Sequence, residues 1–326
     1  MNKYPVSRKI DAQPRSKISA SNTMSKPISL SVSIATNNSA QTLQYTLSSI
    51  FSNNYPAGFF EVVIADKGSR DNTVEIAKRF ATKVCVHPNM SVGFRRNLSI
   101  RESKGEIICF TDSDIIVPPD WLGRISDYFN IHPDVDGVGG PILPPPNSQN
   151  EIQKYTGDLY VEDQHCPTNI TKIDTLEYAT LLPTANMAVR KSALMSVGGF
   201  PEQPSLVTID MPLMWKLVKK GHKLVFLPDW KVIHLGFPTT LAGVMRQQYR
   251  WGKNKGILDR KYRPPSQDTL QGYLKAKAYP FLTISRAFAN LFSPLKRPKK
   301  KELLRLCHYM AYYLGENVGH GIKVVD

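Results

Sequence analysis

The stretch Glu106–Leu122, EIICFTDSDIIVPPDWL, decides how the rest of the chain is read. Ile107, Ile108, Cys109 and Phe110 form an unbroken apolar run, which predicts a strand buried on both faces. Two carboxylates, Asp112 and Asp114, follow at once. In an open α/β sheet, ligands sit beyond the carboxyl ends of the strands, so this pair stands where chemistry is expected.

Working outward, strand and helix patterns alternate. Ile28–Thr36, ISLSVSIAT, sets Leu30, Val32 and Ile34 between serines, a strand pattern, and Leu43, Leu47, Ile50 and Phe51 follow at helical spacing. Phe60–Ala65 predicts an apolar strand and Asp71–Ala81 a capped helix. KVCV is a short strand, Phe94–Glu102 a helix, and EIICF the next strand. Such alternation predicts βα units around a mostly parallel sheet. Further on, Pro144–Asp174 is polar and aperiodic and is expected to be an excursion or loop. Order returns at ANMAVRKSALMSVGGF (Ala185–Phe200), then a helix near Met211–Lys220, strands KLVFL and KVIHL, and a helix over Thr239–Lys255.

The 326 residues are 41% hydrophobic and 21% charged, a globular composition. Net charge is +15, and all the excess is C-terminal: Lys216–Asp326 holds 22 Lys and Arg against 6 Asp and Glu. A lopsided field of this kind faces nucleic acid, anionic lipid or phosphorylated ligands. Cys85, Cys109, Cys166 and Cys307 lack CxxC spacing, which argues against metal binding and for reduced thiols in a cytosolic protein. The polar first 27 residues carry no apolar signal segment and are expected to be disordered. No run of about 18 apolar residues appears, so a spanning helix is not expected.

Four places carry candidate chemistry. A DxD triplet is weak alone, and Asp134 with Asp136 forms a second one in a turn-like context. Asp112 and Asp114 differ by following a buried strand, where paired carboxylates suit Mg²⁺ or Mn²⁺ and can share it with a diphosphate. In IADKGSRDNT (Ile64–Thr73), Gly68 reads as a turn residue and Asp71 as a helix cap. Asp66, without an obvious capping role, is available to a nucleoside. Asp210, just before a helix, is either an N-cap or a general base. His234, at a strand end, is either structural or a further ligand for a cation held by the carboxylates.

Taken in order, VSIATNN, IADKGSRDNT, GFRRNLSIRESKGEIICFTDSD, ANMAVRKSALMSVGGF, Ile209–Asp210 and QQYRW resemble the family 2 glycosyltransferases of GT-A fold over about Ser29–Lys253. The resemblance implies a Rossmann-like α/β domain over 28–258 with a helical extension over 259–326. It implies an inverting transfer of a sugar, with a uridine-diphosphate sugar as the expected donor, to an acceptor hydroxyl in polysaccharide, glycolipid or envelope-glycan synthesis. Thr36, Asn38, Asp66, Arg96 and Asp112 would line the nucleotide-sugar site. Asp112 and Asp114, with His234, would hold a divalent metal, Mn²⁺ or Mg²⁺. Asp210 would be the base, and Gln247, Arg250 and Trp251, matching QxxRW, would close over pyrophosphate and acceptor. Three positions depart from the family: Lys67 replaces the second acid of DDGS, Ile209 replaces the acid beside Asp210, and Ala35-Thr36-Asn37 replaces Pro-Thr-Tyr.

QxxRW is frequent in processive synthases with channel-forming helices; without them, addition of one or a few sugars is expected. Lys296–Lys301, beside an apolar helix and the aromatic segment 279–292, fits either an anionic membrane surface or a helix packed on the catalytic domain. The expected localisation is cytoplasmic, peripheral on the inner membrane face in the first case, with a glycan or lipid-linked acceptor as partner. Nucleic-acid binding is disfavoured for want of a motif. A nucleotidyltransferase would need a glycine- and cation-rich loop after the first strand, which ATNNSAQT lacks. A non-catalytic sugar-binding relative is the remaining alternative.

Overall fold

The computed structural model describes residues 26–80, 83–163, 167–173, 182–203, 209–262 and 299–321. The first half alternates as the sequence predicts. Strands β1 (Leu30–Thr36), β2 (Phe60–Asp66), β3 (Lys83–Val86) and β4 (Ile107–Asp112) are separated by helices α1 (Leu43–Phe51), α2 (Thr73–Arg79) and α3 (Val92–Glu102). These strands pair in parallel, with Ala35 opposite both Ala65 and Asp112, so their carboxyl ends lie level along one edge.

Beyond β4 come β5 (Ile115–Ile116), α4 (Trp121–Ile131), β6 (Gly137–Gly139), β7 (Ile142–Leu143), α5 (Glu151–Asp163) and β8 (Thr171–Ile173). They are followed by β9 (Asn186–Arg190), α6 (Lys191–Ser196), α7 (Asp210–Lys219), β10 (Leu224–Phe226), β11 (Val232–His234), α8 (Leu241–Tyr262) and α9 (Lys299–Gly321). The main sheet has the order β3-β2-β1-β4-β9-β6-β10-β8, and β5-β11-β7 forms a small second sheet. β9 runs antiparallel to both β4 and β6. This is an α/β fold with a central, mostly parallel sheet flanked by helices.

The opening stretch explains the layering. Ile107 and Cys109 enter a core with Leu43, Leu47, Leu122 and Phe129, while Ile108 and Phe110 enter a second core with Ile100, Leu213 and Leu217. Successive side chains of β4 thus serve opposite faces, and each large apolar one contributes about 1.5–3 kcal/mol by burial. The serines of β1 do not face water. Ser31 and Ser33 are fully buried, Ser33 against Ser99 of α3 and Ser31 donating to Glu61 while accepting from the Gly105 N–H.

One expectation is corrected. Pro144–Asp174 is no plain excursion, since it contains α5 and the edge strand β8. Asn150 caps α5 by accepting from the Gln153 N–H at 2.9 Å. The buried face of α5 includes Gln153 and Thr156, hydrogen-bonded to the Phe237 carbonyl and to α5's own backbone. Gly157 fits against Pro144. Polar and glycine positions on the inner face leave no apolar period to read.

The three described cysteines are free: Cys109 is buried, Cys85 and Cys307 half-buried. Cys166, the first 25 residues, the segment 279–292 and Lys296–Pro298 lie outside the described residues. No described helix is long and apolar enough to cross a membrane.

Candidate active site

The carboxyl ends of β1, β2 and β4 lie side by side, and Asp112 at the end of β4 is within electrostatic reach of Asp210 at the start of α7. Thr36 closes β1, buried, and its hydroxyl donates to Asp66 Oδ2 at 2.6 Å. Asp66 closes β2, fully buried. It also accepts from the N–H groups of Gly68 and Ser69 at 2.8 and 2.7 Å and from the Ser69 hydroxyl at 2.6 Å. Four donors fill the roughly four lone-pair positions of a carboxylate. Asp66 therefore does have a capping role, which the sequence did not reveal: it organises its own loop, with Gly68 at φ 84 completing the turn. Asn38 is exposed, sits at φ 53, and ties this loop to its neighbour, its N–H donating to Ser69 Oγ and its Oδ1 accepting from Arg70 N–H. Asp71 accepts from the Thr73 N–H at the start of α2, although the N-cap residue of that helix is Asn72 and not Asp71 as expected.

Behind the edge lie two arginines of α3. Arg96 is fully buried and donates to the carbonyls of Ser33 and Thr111 at 2.7 and 2.9 Å and to Asp112 Oδ1. It thus acts on the site from behind, through Asp112. Burial lowers its pKa, and the charges of Asp112 and Asp210 oppose that shift. Arg95, also buried, donates from Nη1 to the Thr36 carbonyl at 2.7 Å, and its Nε has no hydrogen-bond partner among the described residues. Burial brings Arg95 down to about 10, with Arg96 adding to the shift and Asp66 opposing it. Sequence reasoning passed over Arg95. The signal was the doubled arginine in GFRRN (Gly93–Asn97), on a helix whose neighbours Gly93, Asn97 and Ser99 are buried.

Asp210 opens α7. Its carboxylate accepts from its neighbour Met211 N–H at 3.1 Å and from Thr184 N–H. Burial raises its pKa; these backbone bonds pull against the rise, and the Asp112 charge adds to it. Ile209, in the place of an acid, is buried in the second core.

Asp114 lies between β4 and β5. His234, at the end of β11, pairs with Ile115 across the small sheet and brings Nε2 to 3.1 Å from Asp114 Oδ2. Burial lowers the His234 pKa, but the hydrogen bond and charge of Asp114, with Asp112 beyond, outweigh it and leave the group raised. Gly236 makes room for the pair: a Cβ there would lie 2.2 Å from Asp114 Oδ2 and 3.0 Å from His234 Nε2. A carboxylate oxygen and an imidazole nitrogen over a glycine cradle fit a hard or borderline divalent ion. No group of three or more metal-binding side chains converges among the described residues, Asp112 being turned to Arg96. The second DxD is tied down elsewhere: Asp134 pairs with Lys223, and Asp136 with His222 and the Lys223 N–H.

The QxxRW residues share α8. Gln247 and Trp251 are half-buried and Arg250 is exposed, while Gln248 and Gly252 turn inward. The helix runs past its expected end to Tyr262, and α9 packs along it.

Comparison with known proteins agrees with this architecture. Residues 31–198 match the profile of glycosyl transferase family 2. The glycosyltransferase AglE of Haloferax volcanii is 28% identical over 234 residues, covering 69% of this chain and 72% of that protein. The poly-beta-1,6-N-acetyl-D-glucosamine synthase of Staphylococcus epidermidis is 25% identical over 248 residues, covering 69% of this chain but 54% of the synthase. Among solved structures, mannosyltransferase PcManGT from Pyrobaculum calidifontis, in complex with GDP-Man and Mn²⁺, superposes with a TM-score of 0.60 at 18% identity. The match covers 88% of this chain and 87% of that one. TarS 1–349 of S. aureus, in complex with UDP-GlcNAc, gives 0.53 at 14% identity over 89% and 91%. These two similarities concern the fold.

Proposed function

The chain belongs to glycosyl transferase family 2, and from that premise we propose that it moves a sugar from a nucleoside-diphosphate sugar to an acceptor hydroxyl by a single inverting displacement at this edge. The observation that carries the proposal is the grouping of Asp112, Arg96 and Asp210, in which Asp210 is a half-buried carboxylate that accepts from the backbone and is raised by its surroundings. A base of raised pKa, fixed at a helix start, suits proton removal from an attacking hydroxyl.

In this reading the β1 and β2 loops receive the nucleoside, with Asn38 exposed on them and Thr36 and Asp66 shaping them from within. Arg96 keeps the Asp112 carboxylate aimed at the diphosphate. Asp114 and His234, with Asp112, would hold a divalent ion, Mn²⁺ or Mg²⁺. Such an ion supplies neutralisation of charge growing on the leaving diphosphate. Gln247, Arg250 and Trp251 lie one helical turn apart and would cover pyrophosphate and acceptor. Asp210 takes the acceptor proton on the face opposite the leaving group, which inverts the anomeric configuration.

The donor is proposed to be a uridine-diphosphate sugar, and the product part of a polysaccharide, glycolipid or envelope glycan. Support comes from relatives and neighbours that include an N-acetylglucosamine polymer synthase and a complex with UDP-GlcNAc, although another neighbour holds GDP-Man. The test is release of nucleoside diphosphate from UDP- and GDP-hexoses with Mn²⁺, in the wild type and Asp210→Asn. Loss of about 10²–10⁴-fold in the variant is expected. An unchanged rate overturns Asp210 as base, and release from GDP-sugars alone overturns the uridine assignment.

A further inference from the structure

α9 has two apolar sides, and only one is covered. The inner side carries Leu304, Ala311, Gly315 and Gly319, all buried. It meets α8 backbone to backbone. A Cβ on Gly315 would lie 2.0 Å from the Tyr249 carbonyl oxygen, one on Gly319 2.1 Å from that of Lys253, and one on Gly252 1.9 Å from that of Tyr312. Contact this close fixes the rotation of α9 about its own axis. The second side is therefore held outward.

That side is a row of Leu303, Met310, Leu314 and Val318, exposed by 48, 46, 58 and 44%. The half-buried Cys307 fills the gap in it. Spacings of seven, four and four residues put these side chains on one stripe of the helix, which is about 35 Å long at 1.5 Å per residue. No polar residue interrupts the row. Its N-terminal end carries Lys299, Lys300 and Lys301, and the adjoining α8 has six Lys and Arg against one acid. No described helix is apolar enough to span a bilayer.

We propose that this outer row of α9 lies flat on an anionic lipid surface, with the basic start of the helix meeting the headgroups. An amphipathic helix with an aliphatic face and a basic border is the form that interfacial binding takes. A protein partner fits less well, because interface centres are poor in lysine and the row lacks the tryptophan or tyrosine anchors that dominate them. A second copy would bring one net-positive hairpin against another.

The test uses the full chain in sedimentation with phosphatidylcholine vesicles, with and without phosphatidylglycerol, and needs no transfer activity. The wild type is expected to bind the phosphatidylglycerol vesicles and to leave them as salt is raised. Leu303→Glu with Leu314→Glu should lower binding at least roughly tenfold at unchanged melting temperature, since both positions are exposed. Tyr313→Glu, on the same helix away from the row, adds a negative charge and should retain most of the binding. Absence of binding, equal binding to neutral vesicles, or equal loss in Tyr313→Glu overturns the proposal. So does a wild-type dimer that the double variant converts to monomer, which would assign the row to a second copy.

Discussion

Asp112 has two demands on it, and they explain why an arginine is buried behind it. In its proposed role it would face the diphosphate, yet it sits at the end of a strand with a second carboxylate, Asp210, within electrostatic reach. Arg96 lies where it can offset both, and its guanidinium is itself fixed by two main-chain carbonyls. Arg96→Leu should therefore cost on the order of 3–5 kcal/mol, read from a denaturant midpoint, because a buried partner is removed and two carbonyls lose donors. Arg96→Lys should recover little, one ammonium being unable to reproduce the planar fork. Asp210 gives a pH prediction whose sign follows from its role. The proposed base would work deprotonated and its pKa is raised, so kcat should fall as pH drops, with the acid limb above the ordinary aspartate value near 4. A limb at or below that value would show that Asp210 does not govern it. At this scale the sequence displayed the carboxylates, because each stands at the end of a strand or the start of a helix. It hid their organisers: Asp66's saturation and Arg95's burial depend on folded neighbours.

Single elements show what local pattern can and cannot carry. EIICF was legible because its two faces enter two apolar cores. α5 was not, because beside the buried Tyr155 its inner face carries Gln153, Thr156 and Gly157, whose burial rests on hydrogen bonds and close approach. The α8–α9 hairpin makes the same point with glycines. By helix propensity, Gly315→Ala should stabilise α9 by about 1 kcal/mol. The Tyr249 carbonyl in the way reverses the sign, and a loss of about 1–3 kcal/mol is expected as overpacking forces the helices apart. Hydrogen exchange should quicken along α8 and α9 and stay slow in β1 and β4. His308 gives the hairpin a pH dependence. Burial lowers its pKa to about 4, below the ordinary 6.5. The unfolded chain then binds the proton first, so the stability present above about pH 6.5 is lost as pH falls toward 4, by as much as roughly 3 kcal/mol. His308→Phe should flatten that dependence in a thermal melt.

Across the whole molecule the site belongs to two differently built halves. The parallel half, β3-β2-β1-β4, was visible in the sequence because its strands and helices alternate without interruption along the chain, although β4 returns to pair with β1 and not with β3. The other half was harder to read, since β9 reaches β4 and β6 from a distant part of the sequence and runs antiparallel to both. Nothing local sets the register of such a pairing. The nucleoside loops belong to the first half. Asp210, on α7, and His234, in the small sheet, belong to the second. A donor bridging them should thus stabilise the fold as a whole. At a hundredfold excess over its dissociation constant, binding contributes about 2.7 kcal/mol. In a chain of this size that corresponds to a rise of about 4 °C in melting temperature. The rise should need donor and Mn²⁺ together, because in the proposed site Asp114 and His234 would engage the diphosphate only through an ion. Asp114→Asn should then keep the small shift given by nucleoside contacts and lose the metal-dependent remainder. If the variant gained as much as the wild type, the Asp114–His234 pair would be a structural hydrogen bond of the small sheet, and the ion would have to be held elsewhere on the edge.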